Sequence, residues 1–129
     1  MSTFTLLVTS APYCSQSAYS AYRFALAAVD TTHQIKGIFF YQNGTLNGSA
    51  LQLMPSDEFD LHHAWKNLST QHNIPLLVCV SAATKRGITN LNDAADSDQV
   101  HHSLSAEFQS VGLGDLAMLL EVSDRMVQF

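Results

Sequence analysis

The sequence predicts an α/β protein, a three-layer sandwich in which a mainly parallel five-stranded sheet carries helices on both faces. Short apolar runs typical of buried strands alternate with segments whose apolar residues recur at helical spacing, in the order βαβαβαβαβ. The chain has 129 residues, of which 47% are apolar, with three prolines and six glycines. A chain of this length and composition buries a core without disulfide staples, so we expect one domain over residues 1–129.

The first strand and first helix follow directly from the apolar pattern. Residues 3–9 form an apolar, β-branched run that ends at a turn signal in residues 10–12. Residues 16–29 then show helical spacing, and Ser15 or Ser17 is available as the N-cap.

A second strand and second helix come next. The apolar residues 34–41 predict a strand that stops at Asn43 and Gly44, before a polar loop. Ser56 is expected to cap a helix over residues 57–71, with acidic residues in its first turn. The inner stripe of this helix is Leu61, Trp65 and Leu68.

The remaining elements are shorter. Residues 75–80 are continuously apolar, which suits a strand of a parallel sheet covered on both faces. Residues 81–86 resemble the first turns of a helix broken by Gly87, and residues 89–98 are polar without a clear period. The last predicted elements are a strand, a helix and a strand, over residues 107–111, 114–123 and 125–129.

The charge balance excludes one class of function and favours another. Six Lys and Arg against eleven Asp and Glu give a net charge of −5, which disfavours direct binding to a nucleic-acid backbone. Only 13% of the residues are charged, where a typical domain has about 25%. A surface so poor in charge indicates contacts with other subunits.

The predicted location is the cytoplasm. The longest apolar runs, residues 38–41 and 75–80, are far shorter than the ~20 residues that span a bilayer. No secretory signal is recognised at the N-terminus, so we expect neither a membrane association nor export. In a reducing compartment the two cysteines, Cys14 and Cys79, serve packing, metal binding or thiol chemistry, and not a structural disulfide.

Cys79 is the first candidate for chemistry. It lies near the end of the third predicted strand and just before a helix start, where unpaired backbone N–H groups and the helix dipole favour thiolate over thiol. Lys85 and Arg86 would add positive potential one turn later. The alternative is a small hydrophobe in a buried strand. Position alone leaves both interpretations open.

Cys14 is the second cysteine, in the loop after the first strand. It could form a redox pair with Cys79 if strands one and three were neighbours, although the spacing is not that of a Cys-x-x-Cys motif. A loop cysteine without a role is the simpler interpretation.

Metal and nucleotide sites are not favoured. His62-His63 and His101-His102 are adjacent pairs, whose side chains diverge by about 100° on a helix and do not easily share one ion. Glu58 lies four residues before His62, which more often marks a solvated helix face than a ligand pair. The loop of residues 10–16 contains no glycine, so a phosphate site could only be built from serine hydroxyls.

Several segments together resemble one family, the DsrE/TusD (DsrEFH-like) family of sulfur-relay proteins. They are residues 10–13 (SAPY), 39–41 (FFY) with Gly44, 56–61 (SDEFDL) with Ala64 and Trp65, 78–80 (VCV) with Ala82, Ala83, Arg86 and Gly87, 112–114 (GLG), and 124–129 (DRMVQF). The resemblance implies that Cys79 carries sulfur as a persulfide and that no cofactor is needed. Cys14 departs from the family pattern, in which a small residue such as glycine is expected.

The resemblance also implies partners. A TusA-like donor delivers a sulfane sulfur to Cys79, and a TusE-like acceptor receives it for 2-thiolation of the tRNA wobble uridine. The family member works in a heterohexamer with TusB-like and TusC-like subunits and does not bind the nucleic acid itself. Two alternatives remain: a non-catalytic assembly subunit in which Cys79 only packs, and a small nucleotide- or flavin-binding module.

Overall fold

The computed structural model describes all residues, 1–129. The strands are β1 (Thr3–Val8), β2 (Gln34–Phe40), β3 (Leu76–Cys79), β4 (Phe108–Val111) and β5 (Arg125–Gln128). The helices are α1 (Ser17–Asp30), α2 (Leu61–His72), α3 (Val80–Thr84), α4 (Leu91–Asp96) and α5 (Leu113–Val122), and a 3₁₀ segment covers Gln42–Gly48. None of these helices is long and apolar enough to cross a membrane.

The five strands form one sheet in the order β4-β3-β2-β1-β5, and every neighbouring pair is parallel. The predicted mainly parallel five-stranded sheet is therefore confirmed. In the register, Leu6 lies beside Ile38 and Cys79 lies beside Val111. Because all strands are parallel, their carboxyl ends meet at one edge of the sheet, where sites form in open α/β folds.

The two faces of the sheet are covered unequally. Side chains alternate between faces along each strand, so Ile38 and Phe40 enter a large core with α1 and α2, while Phe39 enters a smaller cluster under α5. Helix α1 buries four alanines, Ala18, Ala21, Ala25 and Ala28. Helix α5 buries no residue completely. The predicted three-layer arrangement is present, with one thick layer and one thin layer.

The start of α2 differs from the prediction. Ser56 is not its cap, because the helix begins at Leu61 and the Asp60 carboxylate accepts a hydrogen bond from the His63 backbone N–H at 3.0 Å. The Leu61 N–H donates to the Tyr13 hydroxyl at 3.0 Å, which satisfies a second free donor of the first turn. The acidic residues expected in the first turn therefore precede the helix. The predicted inner stripe is buried as expected.

The other boundary differences have equally local causes. The N-cap of α1 is Gln16, whose carbonyl accepts from the Ser20 N–H, and the Ser15 hydroxyl accepts from the Ser17 N–H, a free donor of the first turn. The unassigned residues 89–98 contain α4, whose cap Asn90 accepts from the Asp93 N–H at 2.7 Å. The predicted polar loop after β2 is the 3₁₀ segment, and Asn47 within it is fully buried.

Candidate active site around Cys79

Cys79 is the last residue of β3 and the N-cap of α3, which agrees with its predicted position. The strand is internal, between β2 and β4, so the cysteine lies at the carboxyl edge one strand in from the side of the sheet formed by β4. Only 1% of the residue is exposed. The sulfur is thus placed where α/β sites form, but beneath the surface of the isolated chain.

The surroundings of Cys79 are almost entirely apolar. It belongs to a buried cluster with Phe39, Leu77 and Ala82. The half-buried side chains packed against this cluster are Leu7, Tyr41, Val111, Leu116 and Leu119. One polar group reaches the sulfur, the Ser81 hydroxyl, with 3.5 Å between Sγ and Oγ. A sulfur in such a shell is shielded from water and from small oxidants.

The positive potential expected around Cys79 is only partly in place. Helix α3 has five residues, about one and a half turns, so its dipole is small. Arg86 is occupied elsewhere: its Nε donates to Asn43 Oδ1 and its terminal nitrogen donates to the Ala82 carbonyl, both at 2.9 Å. Arg86 therefore fastens α3 to the 3₁₀ segment. The Lys85 side chain is exposed to solvent.

Cys14 is separated from Cys79 by the strand order. Both cysteines are free, Cys14 exposed and Cys79 buried. Since β2 lies between β1 and β3, the condition for a redox pair, adjacency of strands one and three, is not met. Cys14 instead borders a surface cavity of about 540 Å³ between the start of α1 and the segment before α2.

His62 contradicts the expectation of a solvated helix face. Its side chain is buried, with Nδ1 2.8 Å from the Asn47 carbonyl and Nε2 2.7 Å from the Ser105 hydroxyl. The ring stacks on Phe108, parallel within 4°. Glu58 lies outside α2 and does not share a helix face with His62. No cluster of His, Cys, Asp and Glu in the chain has the arrangement of a metal site.

Asn47 is the structural residue that sequence reasoning missed. Its Oδ1 accepts from Trp65 Nε1 at 3.1 Å, and its Nδ2 donates to the carbonyls of Ser10 and Gly44 at 3.1 and 2.8 Å. These bonds join the loop after β1, the 3₁₀ segment and α2. The 3₁₀ segment also packs tightly on β1, because a Cβ at Gly44 would lie 2.0 Å from the Val8 carbonyl oxygen. These contacts hold the 3₁₀ segment, which follows β2 at the carboxyl edge of the sheet, against β1 and α2.

Comparison with known proteins identifies related chains. The model of the DsrE/DsrF-like family matches residues 2–129. The Sulfurtransferase TusD homolog of Vibrio vulnificus (strain YJ016) is 42% identical over 126 residues, which cover 98% of this chain and 96% of that protein. Sulfurtransferase TusD of Proteus mirabilis (strain HI4320) is 42% identical over 127 residues, covering 98% of each chain.

A further relative and one solved structure agree with these matches. Sulfurtransferase TusD of Yersinia pestis (strain Pestoides F) is 44% identical over 126 residues, covering 98% of this chain and 96% of that protein. The crystal structure of the ychN protein from E. coli superposes with a TM-score of 0.79 at 19% identity over 100% of both chains. At that identity the likeness shows the fold alone.

Proposed function

Because the chain belongs to the DsrE/DsrF-like family and is a sulfurtransferase, we propose that Cys79 is the residue that carries the sulfur. The observation behind this assignment is the position of Cys79 at the carboxyl end of an internal strand, in an apolar shell with one hydroxyl at the sulfur. Cys14 is exposed in a loop and has no such shell. The sulfur-relay domain spans residues 1–129.

The proposed reaction is an exchange between thiolates and persulfides. The Cys79 thiolate attacks the terminal sulfur of a donor persulfide, a new S–S bond forms at Sγ, and the donor leaves as a thiolate. An acceptor thiolate then attacks the terminal sulfur on Cys79 and releases Cys79 as a thiolate. The two steps balance without an external oxidant or reductant, since each transfers one sulfane sulfur between thiols.

The proposed partners follow from the relatives named TusD. A TusA-like protein is the donor, a TusE-like protein is the acceptor, and the product serves 2-thiolation of the tRNA wobble uridine in the cytoplasm. The net charge of −5 supports transfer between proteins without direct contact to the nucleic acid. The chemistry also needs a reducing compartment, in which both cysteines stay free.

The proposed assembly is a heterohexamer with TusB-like and TusC-like subunits. Helix α5 and the edge strand β5 support it, because they leave a set of large apolar side chains exposed: Leu113, Met118, Leu120, Val122 and Met126. We call this set the α5 face. Its only charged helix residues are Asp115 and Glu121, so the α5 face suits an apolar surface of a related subunit with basic residues at its rim.

Met118→Glu is expected to prevent assembly with the co-expressed subunits. Met118 is 66% exposed, so a charge there leaves the fold of the single chain intact but places an unpaired carboxylate in the proposed interface. Size-exclusion chromatography with light scattering measures the complex. Leu91→Glu is the matched control, since Leu91 is 62% exposed on α4.

The wild-type chain alone is expected to self-associate or to be poorly soluble. A stable monomer at high concentration, together with an intact complex of Met118→Glu, would rule out the α5 face as the interface.

Cys14→Ser is expected to leave sulfur transfer close to the wild-type rate. Cys14 follows β1, which is not a neighbour of β3, the strand that ends at Cys79. Serine also fits the exposed loop position of Cys14. Steady-state transfer from donor to acceptor is the measurement. A loss as large as that of a Cys79 variant would instead support a relay through two cysteines.

The burial of Cys79 favours one alternative function, a non-catalytic assembly subunit in which this cysteine only packs. Intact mass after incubation with a protein persulfide donor separates the two functions. The proposed function predicts a mass increment of one sulfur atom, located on Cys79 by peptide mapping and removed by reductant. An unmodified Cys79 in the assembled complex would establish the assembly subunit.

A further inference from the structure

The hydrogen bond between Cys79 and Ser81 is the single polar contact of the buried sulfur. Cys79 Sγ has no other hydrogen-bond partner, and Ser81 Oγ has none either, with 3.5 Å between the two atoms. Ser81 is exposed whereas Cys79 is buried. The buried sulfur is therefore hydrogen-bonded to a residue that is itself exposed to solvent.

The charge state of the sulfur decides the direction of this bond. A neutral thiol is a weak donor and a serine hydroxyl is both donor and acceptor, so the neutral pair has two arrangements. A thiolate only accepts, and Ser81 must then donate. Hydrogen bonds to charged acceptors are stronger than neutral ones. The bond consequently stabilises the thiolate more than the thiol.

The other groups around Cys79 do not replace this contact. The cluster at Cys79 is apolar, and Tyr41, which packs against it, makes no hydrogen bond to the sulfur. Helix α3 is short, and the Arg86 guanidinium is bonded to Asn43 and to the Ala82 carbonyl. No backbone N–H of α3 donates to the Cys79 side chain. A thiolate in this shell would therefore otherwise lack a donor, and burying an uncompensated charge is costly.

We propose that Ser81 is a positioning residue of the sulfur site, whose hydroxyl donates to Cys79 Sγ and holds it as the attacking thiolate. This inference rests on the proposed role of Cys79 as the sulfur carrier. In the second half of the exchange, the acceptor removes the terminal sulfur and the electron pair of the broken S–S bond returns to Sγ. The Ser81 hydroxyl then donates a hydrogen bond to the thiolate that forms on Cys79.

The test is the pH profile of Cys79 alkylation by iodoacetamide in the full chain carrying Cys14→Ser, in which Cys79 is the only thiol. Ser81→Ala is expected to move the midpoint of the profile to higher pH and to lower the rate at neutral pH by about fivefold. The plateau at high pH, where the thiol is fully ionised, is expected to stay unchanged. Ser81→Thr keeps the hydroxyl and is expected to restore the midpoint.

Thr84→Ala is the matched control, because Thr84 is an exposed hydroxyl residue on the same helix that bonds to the Ser81 carbonyl and not to the sulfur. A residue that merely covers Cys79 would change the plateau without moving the midpoint. An unmoved midpoint in Ser81→Ala, or an equal movement in Ser81→Thr or Thr84→Ala, overturns the proposal.

Different results would overturn the carrier role of Cys79 and the positioning role of Ser81. If wild-type Cys79 takes up a persulfide sulfur but the midpoint does not depend on Ser81, the positioning role is wrong and the carrier role stands. If the midpoint moves as expected but no sulfur is loaded on Cys79 in the assembled complex, Ser81 still holds the thiolate and the carrier role is wrong.

Discussion

Cys79→Ser is expected to abolish sulfur transfer while the fold and the assembly with partner subunits survive. Serine is nearly the size of cysteine, and its hydroxyl can bond to the Ser81 hydroxyl in place of the sulfur. We expect a loss of about 1 kcal/mol in the free energy of unfolding from placing a more polar group in the apolar cluster. A hydroxyl does not hold a sulfane sulfur, so transfer from donor to acceptor falls to the background rate.

The measurement is transfer by the co-purified complex, with light scattering and thermal unfolding on the same preparation. Cys14→Ser serves as the matched control, because it removes the other thiol and leaves the Cys79 site unchanged. Transfer retained by an intact Cys79→Ser complex would exclude the mechanism proposed here.

Asn47→Leu is expected to lower the free energy of unfolding by about 2–4 kcal/mol. Leucine has a similar volume but leaves the buried Trp65 indole N–H without its partner and removes one hydrogen bond each from the carbonyls of Ser10 and Gly44. Asn47 is 1% exposed, so water does not replace these bonds in the folded chain. Chemical denaturation measures the loss as a shift of the midpoint.

Asn67→Leu is the control for this substitution. Asn67 is exposed on α2 and its side chain makes no hydrogen bond, so we expect a change within about 0.5 kcal/mol. An equal, small change in both variants would show that the buried amide is replaceable and that the carboxyl edge is held by packing alone.

The elements of the sheet could be predicted because each depends on a local pattern. In the structure the two apolar runs form β2 and β3, and the residues with helical spacing form α1. Only the ends of these elements are shifted from the predicted bounds. The position of Cys79 follows from the same pattern, since it only requires the end of β3 to be known. The parallel arrangement follows from the alternation of strands and helices.

The contacts between distant segments could not be read from local patterns. The N–H of Leu61 is satisfied by the Tyr13 hydroxyl, 48 positions earlier in the chain, which helps fix the start of α2. His62 is buried because Asn47 and Ser105 provide its partners from two other segments. The strand order that separates Cys14 from Cys79 is likewise a property of the whole sheet.

The burial of Cys79 has a kinetic consequence. With 1% of the residue exposed, the rate of any reaction at the sulfur is the intrinsic rate constant multiplied by the fraction of molecules in an open form. A partner that binds the open form more tightly raises this fraction, whereas a small oxidant that binds neither form leaves it unchanged. Selectivity between a protein thiol and an adventitious reagent then depends on the opening equilibrium as well as on the nucleophilicity of the cysteine.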